Sequence, residues 1–199
     1  MDVLLKLLAL LLVSLHRGHA WTPPDFCHGH QCPQYSVVET RQDFEERSYV
    51  ATDWITTKVD GTGTGDVIAA NSKLKDYCQR QKDAGYEISV DTSPTLITVT
   101  KGEGDDVDFT MSWFVPPGTR KPEIPDPFVS WESKPEATVY VRVFGGTPSL
   151  ESGEENAKLL REALDKAGKS LDGHAYSGAS YDSYFSLTHH NEIWIYAAA

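Results

Sequence analysis

A strand–helix–strand order that occurs twice is the feature of this sequence that most constrains its fold. The first helix is predicted over residues 66–84, where apolar side chains recur at helical spacing and Gly85 follows as a stop. The second is predicted from Ser152, as its N-cap, to about residue 167, with Gly168 at its end. Segments rich in Val, Ile, Thr and aromatic residues predict strands at 35–39, 44–59, 86–90, 96–100, 107–115, 137–144 and 193–196.

The fold class follows from what comes after each helix. Strands and helices alternate, but hairpin-like pairs of strands follow the helices, which favours an α+β fold over a doubly wound parallel sheet. We therefore predict a distorted antiparallel β-barrel flanked by two long α-helices and built from two similar strand–helix–strand halves. Five prolines within residues 116–127 predict a surface connection, because proline lacks the N–H group that a sheet needs.

The first twenty residues predict a secretory signal peptide. Their apolar run, residues 7–13, is far shorter than the roughly 20 residues that span a bilayer, and the small Ala20 offers a cleavage point. We expect a secreted, extracellular protein with an irregular Cys-, His- and Pro-rich segment at 21–34. Residues 35–199 then form a single domain of ordinary size.

The charge of the chain narrows the classes of partner. Its formal net charge is −11, and no cluster of Lys and Arg offers a track for phosphates. Both observations argue against nucleic acid as a partner. No other segment is apolar and long enough to predict a membrane span, and we expect a monomer.

Three cysteines predict one disulfide and one free thiol in an oxidising compartment. Cys27 and Cys32 would close a short loop, but either could instead pair with Cys78. Cys27, His28, His30 and Cys32 also resemble a cluster of ligands for zinc or copper. Secretion and the close spacing of the four residues favour the disulfide over the metal.

Seven separate motifs follow one another along the chain. They are Cys32-Pro33-x-Tyr35, Phe44-Glu45-Glu46-Arg47-Ser48-Tyr49, Lys73-Leu74-x-x-Tyr77-Cys78, Thr92-Ser93-Pro94, Phe114-Val115-Pro116, Val139-Tyr140-Val141-Arg142-Val143-Phe144-Gly145-Gly146, and Tyr181-Asp182-Ser183-Tyr184-Phe185 followed by Asn191-Glu192-Ile193-Trp194-Ile195. In order and spacing they resemble the SOUL/haem-binding protein (HEBP) family over essentially all of the chain beyond the signal peptide.

The resemblance implies a distorted barrel with two helices packed outside it. It also implies binding of haem or another tetrapyrrole at an open hydrophobic surface beside the first helix. We therefore expect a secreted carrier or scavenger and not an enzyme, since no esterase elbow, phosphate loop, dinucleotide fingerprint or metalloprotease motif is present. Two alternatives stay open: a protein-interaction module without haem, and a binder or hydrolase of another small amphipathic ligand.

A haem site needs an apolar surface and groups that hold two carboxylates. The candidate residues are Val67, Asn71, Leu74 and Lys75 on the first helix, and Trp54, Met111 and Trp113 on neighbouring strands. The competing interpretation is that Val67 and Leu74 pack onto the sheet and Lys75 is solvated, because apolar stripes at helical spacing are usually core.

One position departs from part of the family. Some members have a histidine, proposed to bind the iron, directly after the Glu-x-Arg of the first long strand. Here that position is Ser48. Because other members bind haem without this histidine, we expect tetrapyrrole binding that does not use it.

Overall fold

The computed structural model describes residues 21–89, 92–102, 104, 106–123, 125–183 and 186–198. The predicted signal peptide at 1–20 lies outside the described residues and stays a prediction. So does the Tyr184-Phe185 part of the last motif. A short 3₁₀ helix, Asp25–Cys27, interrupts the otherwise irregular segment that precedes the first strand.

In the described part of the chain, nine strands form one antiparallel sheet. They are β1 (Tyr35–Thr40), β2 (Glu45–Tyr49), β3 (Thr52–Val59), β4 (Thr95–Lys101), β5 (Val107–Val115), β6 (Val129–Lys134), β7 (Ala137–Phe144), β8 (Ala175–Ser180) and β9 (Asn191–Tyr196). Their order across the sheet is β1-β2-β7-β9-β8-β4-β5-β3-β6. The strands β1 and β6 are edges, so hydrogen bonds do not close the sheet. The α+β prediction is confirmed, and the word barrel describes this open sheet only loosely.

Two helices accompany the sheet in the described residues, α1 (Thr64–Asp83) and α2 (Leu150–Lys166). The predicted N-cap of α2 is wrong by one turn. Ser149 is the cap, and its Oγ accepts a hydrogen bond from the Ser152 N–H over 3.0 Å while the Ser152 Oγ accepts from the Ser149 N–H. Ser152 therefore completes a reciprocal capping box. The predicted stops Gly85 and Gly168 both have positive φ, +86° and +67°, as expected for residues that end helices.

Two strand predictions need correction. Residues 86–89 form no strand, because the Tyr86 N–H donates to the Gln81 carbonyl and closes the end of α1. Two observed strands were not predicted: β6, which pairs with β3 along its full length, and β8, which lies between β4 and β9. Elsewhere, β5 and β7 have the predicted bounds, and the predicted strand 44–59 divides into β2 and β3.

Both helices pack on one face of the sheet. Ile97, Gly178 and Ile193 are directly paired across β4, β8 and β9, and paired residues share a face. Ile97 packs beneath α1 and Ile193 beneath α2. We call this the helical face and the opposite side the inner face. The inner face carries its own buried cluster, the inner core, which includes Tyr49, Trp54, Leu96, Phe114 and Trp194.

Candidate functional site

A cavity of about 590 Å³ lies between α1, the strands β3 and β6, and the proline-rich connection before β6. This volume falls within the usual range for sites that hold small molecules and cofactors. The aromatic and charged residues of the lining are Lys58, Tyr77, Lys121, Glu123, Asp126, Phe128, Trp131 and Glu132.

Asp126 fixes the wall of the cavity. Its Oδ1 accepts hydrogen bonds from the backbone N–H groups of Phe128 (2.9 Å) and Val129 (3.0 Å) and so sets the start of β6. Its Oδ2 accepts from Arg80 of α1 over 2.6 Å. Burial by itself raises the pKa of Asp126, but these hydrogen bonds outweigh it and leave the pKa below its ordinary value. An ionised Asp126 thus ties the helix to the strand across the cavity.

The lining combines apolar rings with cations. Lys121 places its Nζ 6.0 Å from the centroid of the Trp131 ring, and Phe128 is 65% exposed. Lys58 pairs with Asp108 over 3.0 Å at an exposed position, where such pairs exchange readily with other anions. The arrangement can receive a flat apolar ligand that carries acidic groups at its edge.

Tyr77 is the residue of α1 that faces this cavity, although only 4% of it is exposed. Burial is the main reason that the pKa of Tyr77 is raised, and Cys78 and Asp126 add to the rise. Arg80, one turn further along α1, acts in the opposite direction. The phenol is therefore neutral at physiological pH in the absence of a ligand.

A second polar centre lies on the inner face around Glu192. This carboxylate is fully buried and accepts four hydrogen bonds. The donors are Arg47 Nη1 (3.0 Å), Tyr181 Oη (2.9 Å), Trp194 Nε1 (2.7 Å) and His190 Nε2 (2.9 Å). Burial alone raises the pKa of Glu192, but the hydrogen bond from His190 and the charge of Arg47 outweigh it and lower the pKa.

The segment before β1 covers this polar centre. The ring of Phe26 stacks on His190, with 3.9 Å between ring centroids and 3° between planes. His28 Nε2 lies 2.8 Å from Asp182 Oδ1. A disulfide joins Cys27 to Cys32 and confirms the favoured pairing, which leaves Cys78 free and buried. The inner face is thus closed by a disulfide-bonded loop.

The alternative of a metal site is wrong for the described residues. The disulfide uses both thiols of the Cys27–Cys32 loop, and no group of three or more His, Cys, Asp or Glu among the described residues could hold an ion. His190, next to the last strand, is also not free in solvent. His190 contacts Glu192 and Phe26, because the covering segment shields it from solvent.

A family model described as SOUL heme-binding protein matches residues 30–196. The chain belongs to this family. It is 29% identical to human heme-binding protein 2 over 160 residues, which cover 76% of this chain and 77% of that protein. The resemblance found in the sequence motifs is therefore confirmed.

Solved structures with little sequence similarity share the fold. The crystal structure of the EcmrR C-terminal domain matches with a TM-score of 0.56 at 10% identity and covers 82% of this chain and 98% of its own. A hydrolase from Listeria innocua matches with a TM-score of 0.53 at 11% identity, covering 81% and 94%. At such identities the likeness extends to the fold alone. Neither described helix of this SOUL-family chain has the length and apolarity to cross a membrane.

Four of the seven predicted site residues meet beneath α1. Val67, Leu74, Met111 and Trp113 belong to one cluster, in which Leu74 is fully buried and Met111 is 2% exposed. These four residues form a buried contact between α1 and the sheet and not an open surface. The Trp113 indole N–H is buried without a hydrogen-bond partner among the described residues.

The other predicted residues lie apart from this cluster. Trp54 is on the inner face, because successive strand residues alternate and its neighbour Ile55 points towards α1. Asn71 is half-buried and Lys75 exposed on α1, and Ser48 is exposed on β2. Of the residues that the structure describes, those lining the cavity include none of the seven.

Sequence reasoning missed both the cavity and the Glu192 centre. Lys121 and Asp126 lie in a proline-rich stretch that was assigned only as a connection, and β6 was not predicted. A usable signal was present for the inner face. Arg47 and Glu192 are charged residues inside strand-like motifs, at positions where only a mutual ion pair would tolerate burial.

Proposed function

We propose that this SOUL-family chain binds haem or a related tetrapyrrole in the cavity between α1 and β6. The observation that carries the proposal is the cavity itself, with aromatic walls and two lysines, beside the first helix of a chain of this family. The name of human heme-binding protein 2, a relative at 29% identity, supports the choice of ligand.

The lining fits the chemistry of the ligand. Bound haem supplies a flat apolar surface, two carboxylates and an iron with a free coordination position. Trp131 and Tyr77 can contact the ring, and Lys121 and Lys58 can pair with the carboxylates. Two of the three acids in the wall already pair with arginines, Asp126 with Arg80 and Glu123 with Arg120, which reduces their repulsion of the ligand. The third acid is Glu132.

We also infer a role outside the cell, as a monomeric carrier or scavenger. The predicted signal peptide supports this, and so does the disulfide, because such bonds persist in oxidising compartments. Expression of the full chain in a secreting cell line tests it. The protein should accumulate in the medium with Trp21 at its N-terminus; retention inside the cell with residues 1–20 attached would contradict the inference.

Haemin titration tests the ligand. Saturable quenching of tryptophan fluorescence together with a shifted Soret band is expected at micromolar haemin. The absence of both would contradict the proposal and leave the two alternatives, a protein-interaction module and a binder or hydrolase of another small amphipathic ligand.

A matched pair of charge reversals tests the place of binding. Lys121→Glu should weaken haemin binding roughly fivefold, since it replaces an attraction worth about 1 kcal/mol. Lys75→Glu makes the same change on the exposed side of α1, outside the cavity, and should leave the affinity unchanged. The reverse result would move the site to the helix surface predicted from the sequence.

A further inference from the structure

We infer that Tyr77 coordinates the iron of ferric haem in this cavity. The inference rests on the proposed function and adds the identity of the axial ligand. It replaces the histidine expected in part of the family, whose position here is Ser48 on β2.

The composition of the lining singles out this residue. Histidine, cysteine, methionine and tyrosine are the side chains that most often hold haem iron. Across the part of the chain that the structure describes, Tyr77 is the one residue of these four types that lines the cavity. Met111 and Cys78 share the buried cluster beneath α1 with Tyr77 but do not line the cavity, and burial raises the pKa of Cys78 to about 11.

The described histidines are elsewhere. His28, His30, His189 and His190 lie with the segment that covers the inner face, and His174 directly precedes β8. None of them lines the cavity. A ligand bound there therefore meets no described imidazole.

The surroundings of Tyr77 leave one part of it open to a ligand. Its ring packs in the buried cluster beneath α1, and its remaining exposed part lines the cavity. Arg80 is its neighbour one turn along the helix and is oriented by Asp126 over 2.6 Å. Burial, Cys78 and Asp126 raise the pKa of Tyr77 while Arg80 lowers it, so the phenolate would need the positive charge of the iron itself.

The coordination step balances with water and one proton. If ferric haem bound in the cavity, Tyr77 would give its phenol proton to solvent, and its oxygen would take the place of a water on the iron, which would stay ferric. One proton would then be released for each haem bound.

Spectroscopy of the Tyr77→Phe variant tests the inference, with Tyr86→Phe as the control. Tyr86 is a half-buried tyrosine just beyond α1, and it is absent from the lining. The wild type and the control should show the phenolate-to-iron charge-transfer band and a high-spin ferric signal in electron paramagnetic resonance. Tyr77→Phe should lose both signatures and bind haemin about tenfold more weakly, while keeping its circular dichroism spectrum.

Iron-free protoporphyrin IX separates this inference from the proposed function. It should bind the wild type and Tyr77→Phe equally, because it has no iron to coordinate. A wild-type haemin spectrum that is unchanged by Tyr77→Phe overturns the ligand assignment and leaves the binding site standing. Failure of both haemin and protoporphyrin IX to bind the wild type overturns the proposed function instead.

Discussion

Arg47 donates a hydrogen bond from Nη1 to Glu192 Oε1 over 3.0 Å, and the two side chains are 2% and 0% exposed. The pair joins β2 to β9 across the intervening strand β7. The ring of Tyr35 lies 4.3 Å from the Arg47 guanidinium carbon and closes the pair from outside. Such a buried pair holds the strands in one register, because neither charge tolerates the loss of the other.

Replacing Arg47 should therefore lower the free energy of unfolding by more than the loss of its own hydrogen bonds. Arg47→Met leaves the Glu192 carboxylate buried without its cation, and we expect a loss of about 3–5 kcal/mol in the free energy of unfolding, measured with urea. Arg41→Met removes an exposed arginine that pairs with Glu39 and serves as the control, with a much smaller loss expected. Equal losses would contradict a special role for the buried pair.

The pH dependence of stability should follow the carboxylates on the inner face. The pKa values of Glu192 and Asp182 lie below their ordinary values of 4.5 and 3.8, since hydrogen bonds and cations outweigh burial. A lowered folded-state pKa gives stability that is present above the ordinary value and is lost as the pH falls through the folded value. Unfolding free energies should therefore decline below about pH 4.5.

Glu192→Gln isolates the contribution of Glu192 to this effect. The variant should be less stable at pH 7, and its stability should fall less steeply between pH 4.5 and 2 than that of the wild type. Glu123→Gln changes an exposed carboxylate and should leave the pH profile as it is. An unaltered slope in Glu192→Gln would show that other acids control the acid transition.

Much of this fold is predictable because the alternation in its strands is strong. Val139, Val141 and Val143 alternate with polar or aromatic neighbours, and β7 has the predicted bounds. The inner-face network is different, because it depends on pairing across the sheet. Arg47 and Glu192 are 145 residues apart, and nothing local to either residue specifies its partner.

The disulfide should stabilise both the covering segment and the domain. Replacing Cys27 and Cys32 with serine removes the closure of a short loop, for which we expect a loss of about 2 kcal/mol in urea unfolding. Proteolysis before β1 should become faster as well. Treating the wild type with a phosphine reductant should reproduce both effects, and the double variant should not respond to it. A wild type insensitive to the reductant would mean that the loop is held by its other contacts.

Leu74 and Lys75 are adjacent in sequence but should respond very differently to alanine. Leu74→Ala opens a cavity beneath α1 and should lower the free energy of unfolding by about 2–5 kcal/mol. Lys75→Ala alters a solvated side chain and should change it by less than about 0.5 kcal/mol. Thermal melts of the two variants measure the difference. Similar melting temperatures would indicate that Leu74 is exposed and not part of the core.

The candidate site shows where sequence periodicity stops being informative. Helical spacing identifies the residues of α1 that face the sheet, which explains why Val67 and Leu74 were found together. It does not give the face of β3 to which Trp54 points, because a shift of one residue reverses a strand. Nor does it show that a short polar strand after a proline-rich stretch folds back to form a cavity with Tyr77.

One wall of that cavity is an edge strand. Strand β6 has a hydrogen-bonded neighbour, β3, on one side only, so moving it outwards breaks a single ladder. The other strands keep their pairings with one another during such a movement. We therefore expect the residence time of a ligand to depend on the local opening of β6 and to vary independently of the global stability of the domain. Uptake and release would then be tuned by substitutions along one short strand.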